Sequence, residues 1–311
     1  MALVLVTGGG GFIGSHTVEK LLETGQSVRI LDNFSTGRKQ NLSPFADRIE
    51  LIEGDLRDLR LVREAVKGAD CVIHLGALPS VPRSISDPVA TNETNVCGTV
   101  NILYAAREAA VRRVVYASSS SVYGDTPLLP KVEKMPPNPL SPYAVSKLSG
   151  EYYVRVFHVV YGLETVALRY FNIFGPRQDP ASQYAGVITK FIETMMGGHP
   201  PTIFGDGTQS RDFTFVANAV QANLLAAGQP GISGQVFNIA CGVRYSLLDL
   251  VSLLNRILGT DIVAHRADAR LGDVKHSLAD ISAARTALGY NPRVGFEEGL
   301  QRTVNWFRRE R

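Results

Sequence analysis

Short apolar runs and amphipathic stretches alternate through the first half of the chain. Residues 3–6, 28–31, 49–53, 71–75, 114–118 and 165–169 are brief, mostly apolar and rich in branched side chains, as strands are. Between them, residues 13–23, 59–66, 88–110 and 143–161 carry apolar positions three and four apart, the spacing of an amphipathic helix. Gly25 and Gly68 follow the first two helices, where glycine accepts the left-handed backbone of a helix end. Strands apolar on both faces, each followed by a helix, predict an α/β fold: a doubly wound parallel sheet covered on both sides, with right-handed crossovers.

After residue 169 the alternation gives way to Gly- and Pro-rich segments such as Gly-Pro-Arg-Gln-Asp-Pro (175–180). Periodicity returns with a predicted helix over 215–227 and a strand over 236–239 that can rejoin the main sheet, then with helices over 247–258 and 296–308. The expected organisation is a Rossmann-type nucleotide domain of residues 1–172 plus 213–240, and a smaller α/β substrate domain of residues 173–212 plus 241–311.

Bulk properties narrow the classes without choosing among enzymes. The 311 residues include 45% hydrophobic and 20% charged side chains, ordinary for a soluble globular protein. A net charge of +3 argues for neither nucleic acid nor a membrane surface as partner. Cys71, Cys97 and Cys241 lack metal-ligand spacing, and no metal is expected; Cys71 and Cys97 have apolar neighbours and read as free buried thiols of a reducing, cytoplasmic compartment. The apolar N-terminus is too short for a signal peptide and reads as the first strand.

Two clusters carry chemistry. In Thr7-Gly8-Gly9-Gly10-Gly11-Phe12-Ile13-Gly14, between strand and helix, Gly8, Gly11 and Gly14 recur at three-residue steps. Glycine there permits the turn, the approach of a pyrophosphate to backbone and the packing of helix on strand, and the helix N-terminus favours phosphate. Asp32 ends the second strand, 18 residues past Gly14, where a carboxylate takes ribose hydroxyls and repels a 2′-phosphate, so NAD is expected over NADP despite Arg38 and Lys39 nearby. Asp55, after the third strand, suits an adenine edge or a helix N-cap equally.

The second cluster is Tyr143 and Lys147, four apart on one helix face. An ammonium about 6 Å from a phenol, at an effective dielectric of about 20, favours the phenolate by roughly 2–3 kcal/mol. That would make Tyr143 a usable proton carrier, although Tyr-x-x-x-Lys by itself also occurs on ordinary buried helices. Ser118-Ser119-Ser120-Ser121 lies at the carboxyl end of the fifth strand, the edge where open α/β sheets bind ligands. Ser119 or Ser120 can hydrogen-bond the oxygen that Tyr143 deprotonates.

With these motifs, and with Asp32-Asn33-Phe34-Ser35-Thr36-Gly37, Gly54-Asp55-Leu56, His74-Leu75-Gly76-Ala77, Asn95-Val96 and Leu168-Arg169-Tyr170-Phe171-Asn172, nearly the whole chain resembles the extended short-chain dehydrogenase/reductase family. Within it the chain looks most like UDP-hexose 4-epimerases. The segments 76–84 and 205–213 are most similar to the bacterial subgroup acting on UDP-N-acetylhexosamines. The resemblance implies NAD held by Gly8, Gly11, Phe12, Ile13, Gly14, Asp32, Asn33, Ser35, Thr36, Gly37, Asp55, Leu56, Leu75, Ala77, Asn95, Ser118, Tyr143, Lys147 and Tyr170. It implies 4-epimerisation through a 4-keto sugar, with Tyr143 and Lys147 as the reacting pair.

On the substrate side the resemblance implies Asn172 as a sugar-nucleotide ligand, Arg211 and Arg270 on the diphosphate, and Tyr184, Ala185, Val187 and Phe204 near uracil. Ser80, Arg83, Ser119, Ser120 and Asp273 complete the expected substrate set. Ser277 aligns with a gate beside the sugar 2-substituent, and a serine leaves space for an acetamido group. Pro79 stands where many UDP-galactose epimerases carry a lysine, which argues against a strict galactose role. Ser120 and Ser121 stand where nucleotide-sugar 4,6-dehydratases need an Asp-Glu pair, which sets dehydration aside. UDP-glucuronate epimerases and decarboxylases share the serine motif and remain the alternative, with Arg83 as the cation to watch; a non-catalytic dinucleotide sensor is a remote one. The family pairs the helices over 88–110 and 143–161 between subunits, so a homodimer is implied.

Overall fold

A computed structural model describes residues 2–179, 186–268 and 275–310. Seven strands, Leu3–Thr7 (β1), Ser27–Asp32 (β2), Ile49–Glu53 (β3), Cys71–His74 (β4), Arg113–Ser119 (β5), Glu164–Tyr170 (β6) and Gln235–Ile239 (β7), form one sheet. Its order is β7-β6-β5-β4-β1-β2-β3, and every pairing is parallel. The chain leaves β1 for β2 on one side and reaches β4 on the other. The crevice above β1 and β4 is therefore a topological switch point, where open α/β sheets hold ligands.

Each central strand is buried on both faces, as its unbroken apolar run requires, and helices cover both sides. Phe12–Glu23 (α1) and Val216–Gly228 (α8) pack on one face, and Leu59–Val66 (α2), Gly98–Glu108 (α5) and Pro142–Tyr161 (α6) on the other. Local chemistry sets their ends. Asp58 caps α2, Ser141 caps α6 through the Ala144 amide (3.2 Å), and Gly162 ends α6 at φ +70°. The N-cap alternative for Asp55 thus falls away, because Asp58 fills that place.

The helix expected over 88–110 differs in two ways. A separate helix, Val81–Ser86 (α3), precedes it, in a stretch to which the sequence reading assigned no element. Pro88–Asn92 (α4) then joins α5 through a π turn, Glu93–Cys97, whose extra residue shifts the helical phase. Cys97 lies on that turn and is exposed, contrary to the buried thiol its apolar neighbours suggested; Cys71 is buried, and burial pushes its thiol up to about 12.

A second apolar cluster gathers Phe174, Phe213, Phe215 and Phe296 with helices Val187–Met196 (α7), Leu247–Leu258 (α9) and Phe296–Glu310 (α11). Phe213 stacks on Phe296 with centroids 5.0 Å apart. Short two-stranded pairings stitch this part together, among them Thr202–Phe204 with His265–Ala267. Among the described residues no helix is long and apolar enough to cross a membrane.

Candidate active site

A cavity of about 660 Å³ opens at the switch point and runs from the glycine loop to the N-terminal turn of α6. At the loop end, Gly8 sits at φ +68°, and a Cβ there would lie 2.8 Å from the Gly76 backbone. A Cβ on Gly14 would lie 2.0 Å from the Gly8 carbonyl oxygen, so the close packing of helix on loop excludes any side chain. Gly11 caps α1 without a side-chain hydrogen bond, and the first turn carries no acid. Those amides face the cavity uncapped, a donor set suited to a pyrophosphate.

Asp32 lines the same cavity and is buried. Its carboxylate accepts from the amides of Gly10 and Phe34, both at 2.8 Å, while burial raises its pKa above the usual range against the pull of those bonds. Of the two cations that complicated the cofactor reading, Lys39 pairs with Glu53 at 2.6 Å outside the cavity lining, while Arg38 lines the cavity and pairs there with Asp179 at 2.6 Å. Asp55 is held by the Arg57 fork at 2.9 Å on each oxygen and by Asn33 at 2.8 Å; the Arg57 bonds hold it down to about 2. Leu56, Ser35, Thr36, Gly37, Leu75 and Ala77 also line the cavity. Asn95 does not: its buried amide is spent on both backbone groups of Leu78 and on Ser146.

At the other end Tyr143 and Lys147 enter the cavity together. Lys147 donates to the carbonyl of Ala117 (2.8 Å), and its ammonium lies 5.2 Å from the Tyr116 ring centre and 6.0 Å from that of Tyr143. Gly150 sets this spacing, since a Cβ there would meet the Tyr116 hydroxyl at 2.2 Å. One electrostatic expectation is corrected. Burial, which disfavours both charged forms, raises the Tyr143 phenol, with a Ser119 hydrogen bond pulling it part of the way back. Burial also lowers Lys147 to about 8. Burial of the pair thus works against the phenolate rather than for it.

The remaining expected residues are scattered. Ser118 and Tyr170 line the cavity, with the Tyr170 hydroxyl donated to Asn223. Ser120 opens a single helical turn and is half-buried. Arg83 lines the cavity, and Ser80 caps α3 by accepting from the Arg83 amide at 3.1 Å. Asn172, at φ +41°, donates to the carbonyl of Asp212 (3.1 Å) outside the cavity lining. Arg211 donates to the carbonyls of Ser210 and Lys275, and the Ser277 amide donates to Ser210 at 2.9 Å, so Arg211 and Ser277 flank the short bridge of Ser210 with His276. Val187 opens α7, and Phe204 is half-buried on its short strand. Tyr184, Ala185, Arg270 and Asp273 lie outside the described residues.

Three buried residues were given no role of their own by the sequence reading. His74, pushed down to about 3 by burial and so neutral, bonds Thr7 (2.7 Å) and Thr99 (3.0 Å), and Thr7 in turn accepts from the Gly76 amide (3.1 Å). Asp212, raised to about 6 by burial, accepts from the amides of Cys241, Gly242 and Ala279 and ties three distant segments together. Glu151 pairs with Arg169 beneath Lys147. Only Glu151 left a signal, its place four residues past Lys147 on the same helix face.

Comparison with known proteins resolves the family. The model of the NAD dependent epimerase/dehydratase family matches residues 4–240. The chain belongs to that family. This enzyme is 41% identical to the UDP-glucose 4-epimerase of Mycolicibacterium smegmatis, over 98% of each chain. It is 42% identical to the UDP-N-acetylglucosamine 4-epimerase of Methanobrevibacter ruminantium M1 in complex with UDP-N-acetylmuramic acid, with a TM-score of 0.95 over 100% of this chain and 99% of the other. The Thermus thermophilus UDP-glucose 4-epimerase in complex with NAD is 36% identical, with a TM-score of 0.89 over 98% and 99% of the two chains. NAD is the cofactor of this epimerase-family enzyme, and the uncapped amides of α1 and the carboxylate of Asp32 fit it.

Proposed function

We propose that the enzyme interconverts UDP-hexoses at C4, acting on UDP-glucose and UDP-galactose and on their N-acetylated counterparts. The supporting observation is that a single cavity joins the glycine loop and Asp32 to Tyr143 and Lys147. NAD held by the glycine loop and Asp32 would supply a reversible hydride acceptor for C4. Tyr143 as phenolate takes the proton of the 4-hydroxyl, leaving a 4-keto sugar, and Ser119 or Ser120 holds that oxygen. Lys147 anchors the cofactor ribose and, while charged, favours the phenolate. The keto sugar turns over, Tyr143 returns the proton, and no net oxidation results.

Residues 173–212 and 241–311 take the UDP in this reading, with Arg211 and Arg270 on the diphosphate through forked charged donors. Asn172, Tyr184, Ala185, Val187, Phe204 and Asp273 line its path, and Ser80 and Arg83 flank the sugar. Ser277 leaves room for an acetamido group. A coupled assay on UDP-glucose, UDP-N-acetylglucosamine and UDP-glucuronate tests the substrate class: turnover of the first two is expected, and turnover of the glucuronate alone overturns the reading.

The working form in this reading is a homodimer. Val145, Tyr152, Val156 and Val159 form an exposed apolar stripe on α6, 72% exposed at Val159, and Ile85 of α3 and Val89 of α4 extend it. Val156→Lys should give a monomer in light scattering; an unchanged mass would remove this face from the interface.

A further inference from the structure

Tyr143, Lys147 and Glu151 stand at four-residue steps on α6 and so share one face toward the end of β5. Two of them grip consecutive residues of β5: Lys147 donates to the carbonyl of Ala117, and Glu151 accepts a hydrogen bond from the Ser118 hydroxyl. The proposed reaction uses Lys147 and leaves the Glu151 contact unexplained.

Glu151 is 4% exposed, and Arg169 of β6 engages both its oxygens at 2.9 and 2.7 Å. Arg169 also lies over the Tyr123 ring, 4.6 Å from its centre. A buried ion pair of this kind is no better for stability than apolar side chains of the same volume, so stability alone does not explain it. Ser118 lines the cofactor cavity. A hydroxyl has one proton, and a carboxylate held by a guanidinium can only accept. With that proton committed to Glu151, the Ser118 oxygen offers the cavity lone pairs alone.

We propose that Glu151 is a positioning residue of this site: it turns the Ser118 proton away from the cavity, so that Ser118 accepts a hydrogen bond from the nicotinamide nucleoside of NAD. The donor is an N–H of the carboxamide or an O–H of the adjoining ribose. The same grip holds Ser119 in register with Tyr143. The proposal rests on NAD binding and is independent of which sugar is the substrate.

Dissociation constants for NAD, measured on purified protein without sugar, test it. Ser118→Ala should weaken NAD about five- to tenfold, the loss of one hydrogen bond. Glu151→Gln should weaken it comparably, since its amide can present N–H to Ser118 and turn the hydroxyl proton toward the cavity. The double variant should be no weaker than either single one. With 3-acetylpyridine adenine dinucleotide, which lacks the carboxamide N–H, the Ser118→Ala effect disappears if the carboxamide is the donor and persists if the ribose is. An unchanged NAD constant in Ser118→Ala overturns the proposal, and so does a Glu151→Gln variant that loses only Tm. Should Glu151→Gln fail to fold, Ser118→Ala decides alone.

Discussion

At the glycine-loop end of the cavity the surface offered to a ligand is mostly backbone: a φ +68° turn, amides uncapped by any side chain, and one carboxylate already tied to two amides. At the α6 end it is side chains, a phenol and an ammonium buried together against the end of β5. The first end has no room for an added atom. The second is charge-poor, and its protonation is set by burial, so it responds to pH and to any charge that enters. Recognition is rigid where local geometry makes it, and reactivity is adjustable where distant side chains meet.

Removing the proton carrier should separate the two ends most sharply. Tyr143→Phe should cut kcat by about 10³-fold or more, within the range of general acid–base effects, while NAD stays bound. Loss of NAD in that variant would mean the two ends are not separable. Gly14→Ala attacks the rigid end, where the new Cβ would sit 2.0 Å from the Gly8 oxygen. An overpacking penalty of about 3 kcal/mol predicts a more than hundredfold weaker NAD affinity, read by fluorescence titration. Wild-type affinity would show that α1 can slide on the loop.

Ser277→Tyr probes the sugar side. Turnover of UDP-N-acetylglucosamine should fall by about tenfold or more relative to UDP-glucose, the scale at which a pocket discriminates by size. Equal loss on both sugars would remove the gate. The smallest effect concerns pH. Lys147, lowered to about 8 by burial, loses its charge as pH rises through that value, so kcat should decline a few-fold there. Stability should move the other way. The unfolded chain holds this proton up to about pH 10.4, so between about 8 and 10.4 this group's contribution to folding stability rises with pH. A kcat decline matched by a falling Tm would point to another group.

Much of the nucleotide half is legible along the chain. Glycine spacing, the carboxylate at the end of β2 and the Tyr143–Lys147 step are local patterns, and each parallel strand announces itself by an apolar run. The remainder, around the second apolar cluster, is assembled from segments far apart in sequence. Its short pairings, such as Thr202–Phe204 with His265–Ala267, have no period to read. The π turn was invisible for a related reason: a single inserted residue leaves the apolar spacing nearly unchanged while rotating Cys97 outward.

By itself, then, the sequence determined the doubly wound sheet, its nucleotide loop and the pairing of Tyr143 with Lys147 on one helix face, because these depend on spacings shorter than one helix or on a single turn. Tertiary structure alone decided the protonation of that pair. Burial depends on what packs around α6, and it raises the Tyr143 phenol and lowers Lys147 where a pairwise Coulomb argument predicted a more easily ionised phenol. Tertiary structure also decided that Asp212 ties three segments and that Glu151 meets Arg169 and Ser118, contacts between residues 18 to 67 positions apart that no local pattern encodes.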